Sequence, residues 1–260
     1  MHARVTRMLT AAAVAGATVT TLGLAAPSAA QAAAMRHHGL TGPVFVTDHA
    51  GYLAGVGAAW RFRFVTATFT VLSCSDPAAS HGWTGNGVEI GASSTVWEAE
   101  LGAGCDPGTG ASIDFVTVDN GHVNMPVQLP MTPAAGTSLT VSIFYSRATG
   151  FLRFTATDNS TGDTDIRTHL VGGTANYFGA EVGSQFGGVI SAPPADVKTA
   201  AFTNCALTTY NVTKGTMLGP WHTSQVIATT TGTSGGALIA NAPVLWNGGA
   251  NFGVWERTTA

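Results

Sequence analysis

Glu181 stands in the run Ala175-Asn176-Tyr177-Phe178-Gly179-Ala180-Glu181-Val182-Gly183, and between His169 and Asp196 the only other ionisable side chain is the phenol of Tyr177. A carboxylate set alone in an apolar, strand-like segment costs free energy unless something satisfies it or uses it, which makes it a site candidate. In an extended chain Phe178, Ala180 and Val182 share one face, and Gly179, Glu181 and Gly183 share the other. Glu181 then projects between two glycines, from a bare patch of sheet where a second backbone can lie close. A second acidic cluster, Glu98 and Glu100, lies in Thr95-Val96-Trp97-Glu98-Ala99-Glu100-Leu101-Gly102. As a strand, this run turns Trp97, Ala99 and Leu101 to the core and presents both carboxylates on the other face.

The elements that must position these acids are strands. β-Branched and aromatic runs recur along the chain and are cut by Gly, Pro, Asn and Asp, whereas helix signals are scarce. Strands are expected near residues 60–72, 87–90, 95–101, 112–118, 138–145, 151–158, 165–171, 177–182 and 198–209, with more after Gln225. Turn chemistry separates them at Asn120-Gly121, Ala148-Thr149-Gly150, 158–163 and Pro193-Pro194, and residues 140–157 read as a hairpin. Short strands at this spacing predict an all-β fold, an antiparallel β-sandwich or barrel.

The first residues carry an address. His2, Arg4 and Arg7 precede an apolar stretch from Met8 to Ala26, and Ala30-Gln31-Ala32 supplies small residues for cleavage, the pattern of a secretory signal. Residues 1–32 are therefore read as the signal, with cleavage after Ala30 or Ala34 as alternatives. Residues 33–48 are read as a flexible arm and residues 49–260 as one domain, secreted and extracellular. Charged residues make up only 10% of the chain, against about 25% in typical globular proteins. With a formal net charge of -3 and no Lys/Arg cluster, the chain lacks the electrostatic footprint of a nucleic-acid or anionic-membrane binder. A monomer without cofactor is expected.

Cys74, Cys105 and Cys205 are the three cysteines, and an oxidising compartment favours one disulfide. The preferred pair is Cys74 with Cys105, which close a short loop, leaving Cys205 as a thiol in an apolar run. No Cys/His spacing resembles a metal site. His49, His81 and His222 read as loop residues without partners, and Arg61 and Arg63, alternating with Phe62 and Phe64, as the solvent side of a strand.

The order of segments carries further information. The chain runs Ala50-Gly51-Tyr52 and residues 62–71, then Val88-Glu89-Ile90-Gly91 and Glu100-Leu101-Gly102, and later Ala180-Glu181 before residues 197–205. In this it resembles the glutamic peptidases, or eqolisins, over most of its length. The resemblance implies a β-sandwich of two curved antiparallel sheets, of concanavalin A or lectin-like jelly-roll type, and a secreted acid endopeptidase acting on polypeptides. It also implies a catalytic pair on the concave sheet, a Glu as general base and then acid, and a Gln that stabilises the oxyanion. Glu181 matches the glutamate, and Glu100, before Leu101-Gly102, stands where the family has glutamine. Trp97, Glu98, Phe115, Gly179 and Gly183 are the corresponding expectation for substrate contact. The stretch Ile113-Asp114-Phe115-Val116-Thr117 departs from the family's Trp-Tyr-Glu-rich segment. Two carboxyls in place of a Glu/Gln pair would share a proton, so that one donates while the other accepts.

Two other readings compete. The same concave face could bind peptide or glycan without turnover, through Trp83, Trp97, Phe115 and the groove over Gly179 and Gly183. Gly232-Thr233-Ser234-Gly235-Gly236 fits G-x-S-x-G, but a serine mechanism needs a His base and an orienting acid, and a nucleophile elbow needs a helix after the serine.

Overall fold

The computed structural model describes residues 42–55, 60–73, 83–91, 98–106, 111–119, 129, 131, 133–173, 175–186 and 197–256. They form strands β1 (Val44–Val46), β2 (His49–Ala54), β3 (Phe62–Thr70), β4 (Trp83–Gly91), β5 (Glu98–Asp106), β6 (Ala111–Asp119), β7 (Ser138–Ser146), β8 (Phe151–Asp158), β9 (Thr164–Leu170), β10 (Ala180–Phe186), β11 (Val197–Thr209), β12 (Thr223–Thr229), β13 (Leu238–Asn241), β14 (Leu245–Trp246) and β15 (Asn251–Glu256). The one helical element among the described residues is a 3-10 turn at Asn247–Gly249. β1 falls in the segment expected to be an arm, where it pairs in parallel with β12.

The strands stack as a β-sandwich. One sheet runs β6-β5-β4-β10-β2-β12-β13-β15 and the other β3-β7-β8-β9, with β11 joining them. The first half of β11 pairs with β15 and the second half with β3. The change of sheet occurs at a register shift around Asn204, whose φ of 55° lies in the left-handed region that Asn tolerates better than most residues. The bend is held by the Cys205 N–H donating to the Ala250 carbonyl (2.8 Å) and the Asn204 N–H donating to Asn251 Oδ1 (3.3 Å).

Alternation decides which side chains fill the space between the sheets. Leu139, Val141, Ile143 and Tyr145 of β7, Leu152, Phe154 and Ala156 of β8, Val88 and Ile90 of β4, Ala99 and Leu101 of β5, and Ala180 and Val182 of β10 are all buried. On β2 the same rule buries Ala50, Tyr52 and Ala54. Tyr52 meets Phe252 edge-on at 5.0 Å, Phe252 stacks on Phe202 at 4.8 Å, and the Tyr52 hydroxyl donates to the Ala242 carbonyl at 2.6 Å. Such aromatic pairs contribute about 0.5–1.5 kcal/mol each beyond their buried area. Fixing Tyr52 inward fixes His49, Gly51 and Leu53 on the opposite face.

Two expectations are corrected here. Arg61 and Arg63 are half-buried over aromatic rings, with the Arg61 guanidinium 3.9 Å from the Phe178 ring centre and that of Arg63 5.9 Å from Tyr210. Phe178 is accordingly half-buried beneath Arg61, and it is Tyr177 that enters the core. Cys205 is a free, buried thiol pushed well above its ordinary range by burial, whereas the proposed Cys74–Cys105 pairing lies outside the described residues.

Glycine sets the shape of the large sheet. Gly51, Gly183, Gly87 and Gly102 lie side by side on β2, β10, β4 and β5. A Cβ on Gly183 would sit 2.6 Å from the Ala50 carbonyl oxygen, one on Gly87 2.8 Å from that of Leu101, and one on Gly51 would collide with the Val182 carbonyl. Neighbouring strands crowd together on this face as side-chain-bearing residues could not. Gly51→Ala should therefore cost about 1–3 kcal/mol, lowering the thermal midpoint by roughly 4–10 °C. Gly42→Ala, with nothing within 4 Å of the new methyl, should leave the midpoint nearly unchanged. Calorimetry on the two variants checks this, and equal midpoints would contradict the crowding.

Candidate functional site

The face of the large sheet turned away from the core carries the acids, in one row. Register sets Leu53 of β2 opposite Glu181 of β10, Glu181 opposite Glu89 of β4, Glu89 opposite Glu100 of β5, and Glu100 opposite Thr117 of β6. Directly paired residues project to the same face, so Glu181, Glu89 and Glu100 form a line of three carboxyls across adjacent strands. Glu181 and Glu100 are thus not on neighbouring strands. β4 separates them by about 10 Å of sheet, given a strand spacing of about 4.8 Å, and Glu89 stands between.

The glycine row lies next to this acidic row, two residues after it on β10 and β5 and two residues before it on β2 and β4. Beyond it, at the start of β2, comes His49, opposite Gln185. His49 and Glu181 are therefore four residues out of register, about 13 Å of strand. They nevertheless meet, with His49 Nε2 3.3 Å from Glu181 Oε1, because the bare Gly51 and Gly183 positions let both side chains lie over the sheet toward each other. The other imidazole nitrogen, Nδ1, is 2.7 Å from Asp48 Oδ1. The result is a carboxylate–imidazole–carboxylate chain, exposed at Asp48 (67%) and largely enclosed at Glu181 (10%).

Electrostatics follow from this contact. Burial alone would push the His49 imidazole down, but the charge of Glu181 and the hydrogen bonds to Asp48 and Glu181 more than reverse it, raising the group to about 11. Hydrogen bonding to His49 outweighs partial burial at Asp48 and holds that carboxyl below its ordinary value. His49 is then an imidazolium at neutral and acid pH. Glu181 Oε1 is the oxygen that faces this cation. Glu89 and Glu100 stand directly opposite each other, so two carboxyls share this part of the face.

A solvent-open depression of about 280 Å³ lies over these groups, lined by His49, Gly87, Val88, Glu89, Glu100, Glu181 and Gly183. It brings together the expected Glu181, Glu100 and Gly183 with two residues to which the sequence reading gave no site role, His49 and Glu89. Glu89 was legible by alternation, since Val88 and Ile90 on either side of it are buried. Gly179 sits just before β10, where its carbonyl accepts the Gly91 N–H at 2.8 Å and so joins β4 to β10. Glu98 pairs with Gly91 and Asp119, and Phe115 extends the glycine row opposite Gly102. Trp97 lies outside the described residues, as do His81 and Cys74. Ser234 is exposed in the β12–β13 turn, which Thr229 closes by donating to the Thr233 carbonyl and accepting from its N–H, and a strand follows where a nucleophile elbow needs a helix. Among the described residues, no group of three His, Cys, Asp or Glu side chains is placed to hold a metal ion.

The His49 contact predicts a pH dependence of stability. A group raised on folding stabilises fully below its unfolded value, near 6.5, and its contribution is lost as pH rises through the folded value, about 11. Between these limits the wild-type protein should lose up to about 1.4 kcal/mol per pH unit relative to His49→Gln. Urea unfolding from pH 6 to 10 measures the difference, and parallel curves for the two proteins would contradict the ion pair.

No protein-family model and no curated protein matches the chain. Among solved structures it is similar to scytalido-glutamic peptidase bound to a transition-state analogue inhibitor, at 15% identity and a TM-score of 0.55, over 83% of this chain and 100% of that one. It is also similar to SCP-B, a member of the eqolisin family of peptidases solved in complex with the tripeptide Ala-Ile-His, at 14% identity and a TM-score of 0.51, over 83% and 100% of the two chains. At these identities the likeness is one of fold, the β-sandwich that glutamic peptidases share.

Proposed function

We propose that the chain is a secreted acid endopeptidase that hydrolyses peptide bonds through a water activated by Glu181, with a protonated carboxyl of the same row, expected at Glu100, assisting the carbonyl oxygen. The observation that carries this reading is the set of acids itself: three carboxyls and an imidazolium line one depression on the sheet face opposite the core. A carboxylate next to a carboxylic acid is the minimum equipment for uncatalysed-water attack to become general acid–base catalysis.

The steps balance with these groups alone. Glu181 takes a proton from a water molecule as the water oxygen bonds to the carbonyl carbon. The carbonyl oxygen, gaining negative charge, receives a hydrogen bond from the protonated carboxyl. Collapse of the tetrahedral intermediate breaks the C–N bond, and the proton on Glu181 passes to the departing amine. The His49 imidazolium stays protonated throughout and positions Glu181. The fold shared with scytalido-glutamic peptidase and SCP-B supports the reading as context, since those proteins were solved with a transition-state analogue and a tripeptide.

The expected behaviour is hydrolysis of unfolded polypeptide at acid pH, fading toward neutrality as the shared proton leaves. Glu181→Gln should lower kcat by about 100- to 10,000-fold, the range for removing a general base. Glu100→Gln, which keeps a donor at that position, and Ser234→Ala should both remain active. A quenched-fluorescent polypeptide assayed from pH 2 to 8 checks this. No cleavage at any pH, an optimum near neutral, or full activity in Glu181→Gln would each overturn the mechanism, and retention of uncleaved polypeptide would instead support a binding protein.

A further inference from the structure

We propose that the outer face of the four-stranded sheet β3-β7-β8-β9 is a second binding surface, and that it takes an extended, uncharged polysaccharide. This goes beyond the peptidase reading above and does not depend on it, because the core separates this face from the acidic depression.

Alternation sets what this face presents. Ala67 of β3, Val141 and Ile143 of β7, and Phe154 and Ala156 of β8 are buried, so the residues between them point outward. Register aligns those in rows: Thr68, Thr140, Thr157 and Thr164 in one, Thr66, Ser142, Thr155 and Ile166 in the next, and Phe64, Phe144, Arg153 and Thr168 in the third. Beyond the third row Phe151 stands opposite Leu170. The three ladders run without a register shift, so the hydroxyls repeat at about 4.8 Å across the strands and about 6.8 Å along them. The Thr68 and Thr140 hydroxyls bond each other at 2.8 Å, and those of Thr157 and Thr164 at 2.9 Å. These bonds order the row, and each uses one donor or one lone pair of a group that has one donor and two lone pairs.

The chemistry of the rows selects the occupant. No Asp, Glu or Lys stands at these positions and Arg153 is their one cation, so the face lacks the basic cluster that a nucleic acid or an anionic membrane requires. A polysaccharide matches it in two ways. Sugar hydroxyls, like those of Thr and Ser, both donate and accept, so they pair with a hydroxyl array without demanding one polarity. The C–H faces of sugar rings pack on aromatic rings, and Phe144 (37%) and Phe151 (41%) are exposed beside the hydroxyl rows, Phe144 backed by Phe64 directly opposite. A second copy of the chain fits less well. Four strands and four rows cover about 500 Å², short of the about 800 Å² per partner that a stable protein interface buries, and half of that area is Thr and Ser rather than apolar.

The test measures depletion of the full chain from solution by microcrystalline cellulose, chitin and an insoluble β-1,3-glucan. It compares the wild type with Phe144→Ser, Phe151→Ser, the double change Thr155→Val with Thr164→Val, and Glu181→Gln, with thermal midpoints recorded to show that each folds. At least one of the three solids should retain the wild type, and equally at low and high salt, since no ion pair holds the ligand. Each Phe change should weaken retention about tenfold and the double Thr change about threefold or more. Glu181→Gln should be retained like the wild type, because its carboxyl lies on the other side of the core. Retention by none of the solids, retention within about twofold of wild type in both Phe variants, loss in Glu181→Gln, or loss at high salt would each overturn the proposal. Sedimentation at rising protein concentration separates the second copy: a wild-type dimer that Phe144→Ser dissociates would assign the face to self-association and remove the polysaccharide, whereas a monomer throughout supports it. No peptide enters the measurement, so its outcome is independent of whether the chain cleaves polypeptide.

Discussion

The site depends on one contact, the ion pair of His49 with Glu181 laid across the glycines of β2 and β10. A largely enclosed carboxylate persists only when a counter-charge or hydrogen bonds compensate its lost hydration, and removing one partner of such a pair leaves an uncompensated charge. Here the counter-charge comes from four residues out of register, over positions where no side chain stands. The same glycines that allow the strands to crowd therefore also leave room for the pair, and sheet shape and site electrostatics share one cause. Asp48 completes the arrangement by holding the far nitrogen of the ring.

The core supports this from behind. Because strand side chains alternate strictly, burying Tyr52, Val88, Ile90, Leu101, Ala180 and Val182 leaves Gly51, Glu89, Glu100, Glu181 and Gly183 no alternative but the other face. A one-residue slip in any of β2, β4, β5 or β10 would bring a carboxyl or a glycine into the core and break the row. The aromatic packing of Tyr52, Phe202 and Phe252, together with the Tyr52 hydroxyl on Ala242, resists such slips at the strand that carries His49. Register is how apolar packing on one side becomes acid–base chemistry on the other.

Much of this was legible in the chain. Alternation placed Glu181 with Gly183, and Glu100 opposite Ala99 and Leu101; the strand-and-turn pattern predicted a β-sandwich or barrel, and the resemblance to glutamic peptidases implied the sandwich. What was missed required pairing between distant segments. Val88-Glu89-Ile90 shows the same alternation, yet the weight of Glu89 comes from lying between Glu181 and Glu100, which only strand order reveals. His49 looked like a loop residue because it follows Asp48 and β2 itself, His49–Ala54, holds no β-branched residue; its strand is set by pairing with β10 and β12 rather than by its own propensity. The slip from Phe178 to Tyr177 as the core residue has a similar origin, since Tyr177 forms an isolated bridge with Phe62 ahead of β10 proper and the expected strand start was too early.

The protonation state of His49 tests the account most directly. Nitrogen-15 NMR of the imidazole, followed from pH 5 to 10, should show both ring nitrogens protonated well beyond pH 8, with a midpoint far above that of an exposed histidine, as the flanking carboxylates require. A ring that turns neutral near pH 6.5 would mean that Glu181 has no fixed cation beside it, and the site as described would not exist.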